Sequence, residues 1–161
     1  MPISNNSLRN PDSFIMNEDT VNVSVFNYLT SRGAICEKAL VGRERGVDVK
    51  AKIMDFSILV ESKGSQRNYL ENDMVFDHGQ IVNHFARQMH TLMKYANDND
   101  DDKTLYVLAN PDIVRIRNEV DKVKNSIDKL QFICFWVQED QNILIECNEN
   151  LKTILETLNL I

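Results

Sequence analysis

The stretch RERGVDVKAKIMDFSILVESKG, residues 43–64, decides how this chain folds. It holds two strand-like runs, Gly46 to Ile53 and Phe56 to Lys63, separated by Met54-Asp55, the pattern of a β-hairpin with a tight turn. With the turn centred between Met54 and Asp55, residues whose numbers sum to 109 lie opposite each other, which sets Asp48 across from Glu61. Their Cβ atoms are then about 4.5–5.5 Å apart. A symmetric loop of either two or four residues keeps this register. Alternation puts Lys63 on the face of Glu61, and Ile58, Val60 and the set Val47, Val49, Ala51 and Ile53 on the other.

Like charges directly opposed across a sheet are destabilising, so a purely structural hairpin has no use for Asp48 beside Glu61. A divalent cation resolves the conflict. Two carboxylates, a backbone oxygen and waters form a hard, oxygen-only site suited to magnesium. An ion held there polarises a phosphoryl oxygen and activates a bound water, and a nearby lysine orients that water or offsets developing negative charge.

The segments around the hairpin alternate between helix and strand. Val21, Val25, Phe26 and Leu29 recur at helical spacing from Asn17, a suitable N-cap, to Gly33, a suitable stop. A short strand over 34–40 precedes the hairpin, and a long helix follows it over 74–96 with Ile81, Phe85, Met89, Leu92 and Ala96 on one stripe. Then come a strand over 104–109, a helix over 111–130, strands over 131–137 and 142–147, and a terminal helix over 150–161. The predicted order is α-β-β-β-α-β-α-β-β-α, an α/β (α+β) chain with a central mixed β-sheet flanked by helices. Residues 1–12, polar and carrying Pro2 and Pro11, read as a flexible N-terminal arm, and 13–161 as one domain.

Composition sets the bounds. Hydrophobic residues at 43% and charged residues at 26% are globular values, and the longest apolar runs are too short to span a bilayer. The N-terminus has neither the basic start nor the apolar core of a signal peptide, so a soluble, cytoplasmic protein is expected. Cys36, Cys134 and Cys147 are odd in number and widely spaced, which fits buried thiols in a reducing compartment. A net charge of −6 gives no overall footprint for nucleic acid, but Asp98 to Asp102 concentrates acid in one predicted loop while basic residues gather around the hairpin. No glycine-rich phosphate loop is present. His78, His84 and His90 lie six residues apart, about 600° of helical turn, so they do not share a face as zinc ligands.

Gly46-Val47-Asp48, twelve intervening residues, then Glu61-Ser62-Lys63 closing the apolar run SILVESKG, resembles the PD-(D/E)xK, or restriction-endonuclease-like, nuclease superfamily over roughly residues 17–137. Val47 stands where the name has proline, a replacement common in such nucleases. The resemblance implies a restriction-endonuclease-like core and a magnesium-dependent deoxyribonuclease, with Mn2+ able to substitute and endonuclease action favoured. It implies that Asp48 and Glu61 are metal ligands, that Ser62 lends its backbone carbonyl, and that Lys63 is the catalytic base or water-positioner.

Glu18 is the candidate for the helix-1 glutamate that many members add, with a capping or helix-dipole role as its alternative. Gln80, His84 and Gln88 recur every four residues beside the apolar stripe. The resemblance makes Gln80 a further catalytic candidate, with His84 and Gln88 toward the substrate. Arg43, Arg45, Lys50, Lys52 and Arg67 are candidate phosphate contacts, each equally readable as solvated surface. The expected partners are DNA and a second copy of the chain, or a larger complex, with Phe132, Phe135 and Trp136 as a candidate dimer surface. The alternative is a catalytically inactive nuclease-fold protein acting as an interaction subunit.

Overall fold

A computed structural model describes residues 1–37, 46–70, 72–99 and 101–161. In chain order the elements are β1 (Ile3–Ser4), α1 (Glu18–Ser31), β2 (Ile35–Cys36), β3 (Val49–Ile53), β4 (Phe56–Ser62), β5 (Met74–Val75), α2 (His78–Asp98), β6 (Thr104–Pro111), α3 (Val114–Asp121), α4 (Lys124–Lys129), β7 (Phe132–Val137), β8 (Ile143–Glu146) and α5 (Glu149–Thr157). Six strands form one mixed sheet in the order β2-β3-β4-β6-β7-β8. The β4-β6 and β6-β7 pairs are parallel, and β2-β3, β3-β4 and β7-β8 are antiparallel.

Two hydrophobic clusters sandwich this sheet. Val21, Val25 and Leu29 of α1 and Leu151 and Leu155 of α5 pack on one face against Val49, Ala51, Ile58 and Val60. Ile81, Phe85 and Leu92 of α2, with Ile116 of α3 and Ile127 of α4, pack on the other against Leu59, Tyr106, Leu108, Phe132, Cys134 and Trp136. The parallel strands β4, β6 and β7 are buried on both faces, which is why they read as almost unbroken apolar runs.

The hairpin has its expected register. Val49 faces Val60 and Ala51 faces Ile58 across a turn at Met54-Asp55, and Met54 adopts φ 54°, the left-handed conformation that the short connection requires. Asn17 caps α1 by accepting from the Thr20 N–H, and Gly33 follows its end at φ 93°.

Several expectations need correction. Residues 1–12 are tied down rather than loose: β1 pairs with β5, Asn5 and Asp12 are buried, and Arg115 grips Asp12 through Nε at 2.8 Å and Nη2 at 2.6 Å. Met74 and Val75, assigned from sequence to the long helix, form β5, because α2 starts only after the capping box of Asp77 and Gln80. The helix expected over 111–130 is two, α3 and α4, and Pro111 ends β6 instead. Asp98 ends α2 rather than opening the acidic loop.

Val47 precedes β3 and packs with the α2 side of the core, not with Val49. Phe132, Phe135 and Trp136 are at most 1% exposed, so they fill the core and offer no dimer surface. Of the strand expected over 34–40, Ile35 and Cys36 are strand and residues 38–40 lie outside the described residues.

Candidate metal and phosphate site

The sheet delivers both acids to one place by two different means. Glu61 is the penultimate residue of β4 and is held by main-chain pairing with β6. Asp48 stands one residue before β3, and its Oδ2 accepts the Ser62 N–H at 2.8 Å, so the side chain continues the hairpin where the backbone ladder stops. The two carboxyl groups come within hydrogen-bonding reach of each other. Glu61 is 7% exposed, and burial first, then Asp48, pushes its carboxyl up to about 9. Carboxyls that close, with Glu61 buried and Asp48 half-buried, favour either a shared proton or a cation between them. Two carboxylates side by side are the hard oxygen donors that a divalent ion takes. Among the described residues no group of three or more His, Cys, Asp or Glu side chains forms a ligand cluster.

Helix α2 braces Glu61 from its own face of the sheet. Tyr95 donates its hydroxyl to Glu61 Oε1 at 3.2 Å, and burial together with the Glu61 charge pushes the phenol up to about 12. Gln88 donates through Nε2 to the Glu61 carbonyl at 2.8 Å and to the Ala109 carbonyl at 3.2 Å. Gln88 is 1% exposed, so the sequence expectation of a nucleic-acid contact is corrected: it fastens α2 to β4 and β6.

Lys63 follows the end of β4, its N–H still donating to the Ala109 carbonyl at 3.0 Å. Its Nζ lies 3.3 Å from Glu18 Oε2 in the first turn of α1. Gly64 permits this approach, since a Cβ there would sit 2.5 Å from the Glu18 nitrogen and 2.6 Å from the Asn17 carbonyl carbon. Ser65 adds a lock, donating its N–H to the Met16 carbonyl at 2.7 Å. Burial is the main reason the Glu18 carboxyl is raised above the usual range; Lys63 pulls it down and Asp48 pushes it up.

A cavity of about 410 Å³ opens beside this ion pair, lined by Glu18, Lys63, Arg67, Phe76, His84 and Arg87 among others. His84 packs edge-on to Phe76 with ring centroids 4.3 Å apart, and burial, then Lys63 and Arg87, hold its imidazole below the usual histidine range. Its Nδ1 is buried without a hydrogen-bond partner.

Of the sequence candidates, the fold gathers Asp48, Glu61, Ser62, Lys63 and Glu18 at one end of the sheet, with Arg67 and His84 on the adjoining cavity. Gln80 does not line that cavity; its side chain accepts from the Asp77 N–H and completes the α2 capping box. Lys50 reaches toward Glu37 at 3.8 Å, Lys52 is exposed, and Arg43 and Arg45 lie outside the described residues. Sequence reasoning noted Tyr95 only as following Gln88 and Leu92 along the helix, with no role assigned, and missed Arg87. Tyr95 follows Gln88 by seven residues, two helical turns, which is the one signal that would have placed it near Glu61.

No family model, curated protein or solved structure matches this chain.

Proposed function

We propose that this protein is a magnesium-dependent nuclease with a restriction-endonuclease-like core, hydrolysing DNA phosphodiester bonds at Asp48, Glu61 and Lys63. The observation that carries the reading is the pairing of two carboxylates across the β3-β4 hairpin, one of them buried and proton-hungry, with Lys63 two residues beyond on the rim of a cation-lined cavity. A divalent ion bound there would supply Lewis-acid activation of the phosphate and of a water molecule.

The chain's own residues have separate tasks. Asp48 and Glu61 supply the ligand oxygens, with Ser62 adding its backbone carbonyl. The Ser62 N–H fixes one oxygen of Asp48, and the Tyr95 hydroxyl fixes one oxygen of Glu61. Such fixing limits the rotamers each ligand loses on binding an ion. Lys63, engaged with Glu18, is suited to orienting the attacking water and neutralising charge on the phosphate rather than to taking a proton. Arg67 and His84, which line the cavity, would meet the flanking backbone of the substrate.

The test is cleavage of supercoiled, linear and branched DNA with magnesium or manganese, an EDTA control, and the variants Asp48→Ala and Lys63→Ala, alongside calorimetric titration of the metal. Metal-dependent cutting lost in both variants supports the nuclease. Absence of both cutting and metal binding would instead favour a catalytically inactive interaction subunit of the same fold.

A further inference from the structure

The cavity beside Lys63 has a charge pattern of its own. Lys63, Arg67 and Arg87 face it against the lone carboxylate of Glu18, which leaves an excess of two positive charges on a wall that also carries the Phe76 and His84 rings. Arg67 and Arg87 are exposed, and no ion pair engages either among the described residues. The low-titrating His84 adds no third excess charge near neutrality.

A phosphodiester in the middle of a strand carries one negative charge, whereas a terminal phosphomonoester carries nearly two at neutral pH. The excess of two therefore matches a strand end better than a strand interior. Two arginines also offer the forked donors that a phosphate with three free oxygens can engage at once. At about 410 Å³ the space is of the size that takes one small ligand unit and not a duplex.

We propose that this cavity is a subsite for the terminal phosphate of a nucleic-acid strand, held by Arg67 and Arg87 with Phe76 and His84 lining the terminal nucleotide. The subsite directs the adjacent carboxylate pair to bonds near phosphorylated ends. The identification of the strand as the source of the phosphate rests on the nuclease reading; the dianion chemistry of the pocket does not.

The experiment is fluorescence anisotropy of short single-stranded oligonucleotides bearing a 5′-phosphate, a 3′-phosphate or hydroxyls at both ends. The full chain is used in EDTA, so that no cleavage is required. One phosphorylated form should bind about tenfold more tightly than the hydroxyl form, the scale of one charge-assisted contact. Arg67→Gln combined with Arg87→Gln should abolish that preference, and the His84 imidazole resonances should move when the phosphorylated strand is added.

The same preference is expected in Asp48→Asn, which separates this subsite from the metal chemistry. Equal affinity for all three strands overturns the proposal even if the protein cuts DNA. Binding of inorganic phosphate or a mononucleotide with no preference among strand ends also overturns it, by making the cavity a free-anion site.

Discussion

Lys63 Nζ and Glu18 Oε2 stand 3.3 Å apart although 45 residues separate them, joining the exit of β4 to the entrance of α1. Both side chains are partly buried, 21% and 33% exposed, so the pair is screened less than a surface bridge. In the nuclease reading Glu18 holds Lys63 in position. Glu18→Gln should then lower cleavage about 10–100-fold, the scale of losing a group that orients a catalytic residue, while stability changes by about 1 kcal/mol or less. Paired kinetics and thermal denaturation check this; loss of stability with unchanged cleavage would reduce Glu18 to a helix-start residue.

The carboxylate pair makes stability depend on pH in a defined direction. Glu61 titrates at about 9 when folded, against 4.5 for an ordinary glutamate, so between those values the folded state holds a proton that the unfolded chain has given up. Stability of the metal-free protein should fall as pH rises across that window. Glu61→Gln should flatten the fall, and magnesium should remove part of it by displacing the proton. Denaturation midpoints from pH 5 to 9, with EDTA and with magnesium, measure all three.

Metal affinity should follow the same proton. Binding is expected to tighten with rising pH and to release a proton, seen as a buffer-dependent heat in calorimetry. Tyr95→Phe removes the hydrogen bond that lowers Glu61, so it should shift the pH dependence of binding upward and weaken binding near neutrality by about tenfold.

Gly64→Ala tests the close approach that puts Lys63 beside Glu18. The added methyl meets backbone rather than flexible side chain, at 2.5 to 2.8 Å from atoms of Met16, Asn17 and Glu18. It should cost about 1–3 kcal/mol in chemical denaturation and depress cleavage more than the stability loss explains.

Gln88→Leu leaves the Glu61 and Ala109 carbonyls without their α2 donor. A destabilisation of about 1–3 kcal/mol is expected. A substrate-contact role would instead weaken DNA binding at unchanged stability, so denaturation and binding together separate the two.

The hairpin was legible in the sequence because everything that fixes it is local. Strict alternation selects the faces, a two-residue turn sets the register, and that register places Asp48 by Glu61. Helix α1 was legible for the same reason, through its period, Asn17 and Gly33. What escaped depends on contacts between distant segments. Gln88 and His84 share a helical face in sequence, yet the packing of α2 on the sheet buries the first against β4 and β6 and leaves the second on a cavity. Met74 and Val75 fit the helical stripe until β1, at Ile3 and Ser4, pairs with them, and Arg115 is an ordinary helix residue until Asp12 is brought to it. The sequence by itself determined that two carboxylates would meet across a hairpin with a lysine beside them, because short-range periodicity and turn length suffice for that. Only the tertiary structure decided that Tyr95 braces Glu61, that Glu18 holds Lys63 and that arginines line the neighbouring cavity, because those neighbours are set by how helices pack on the sheet.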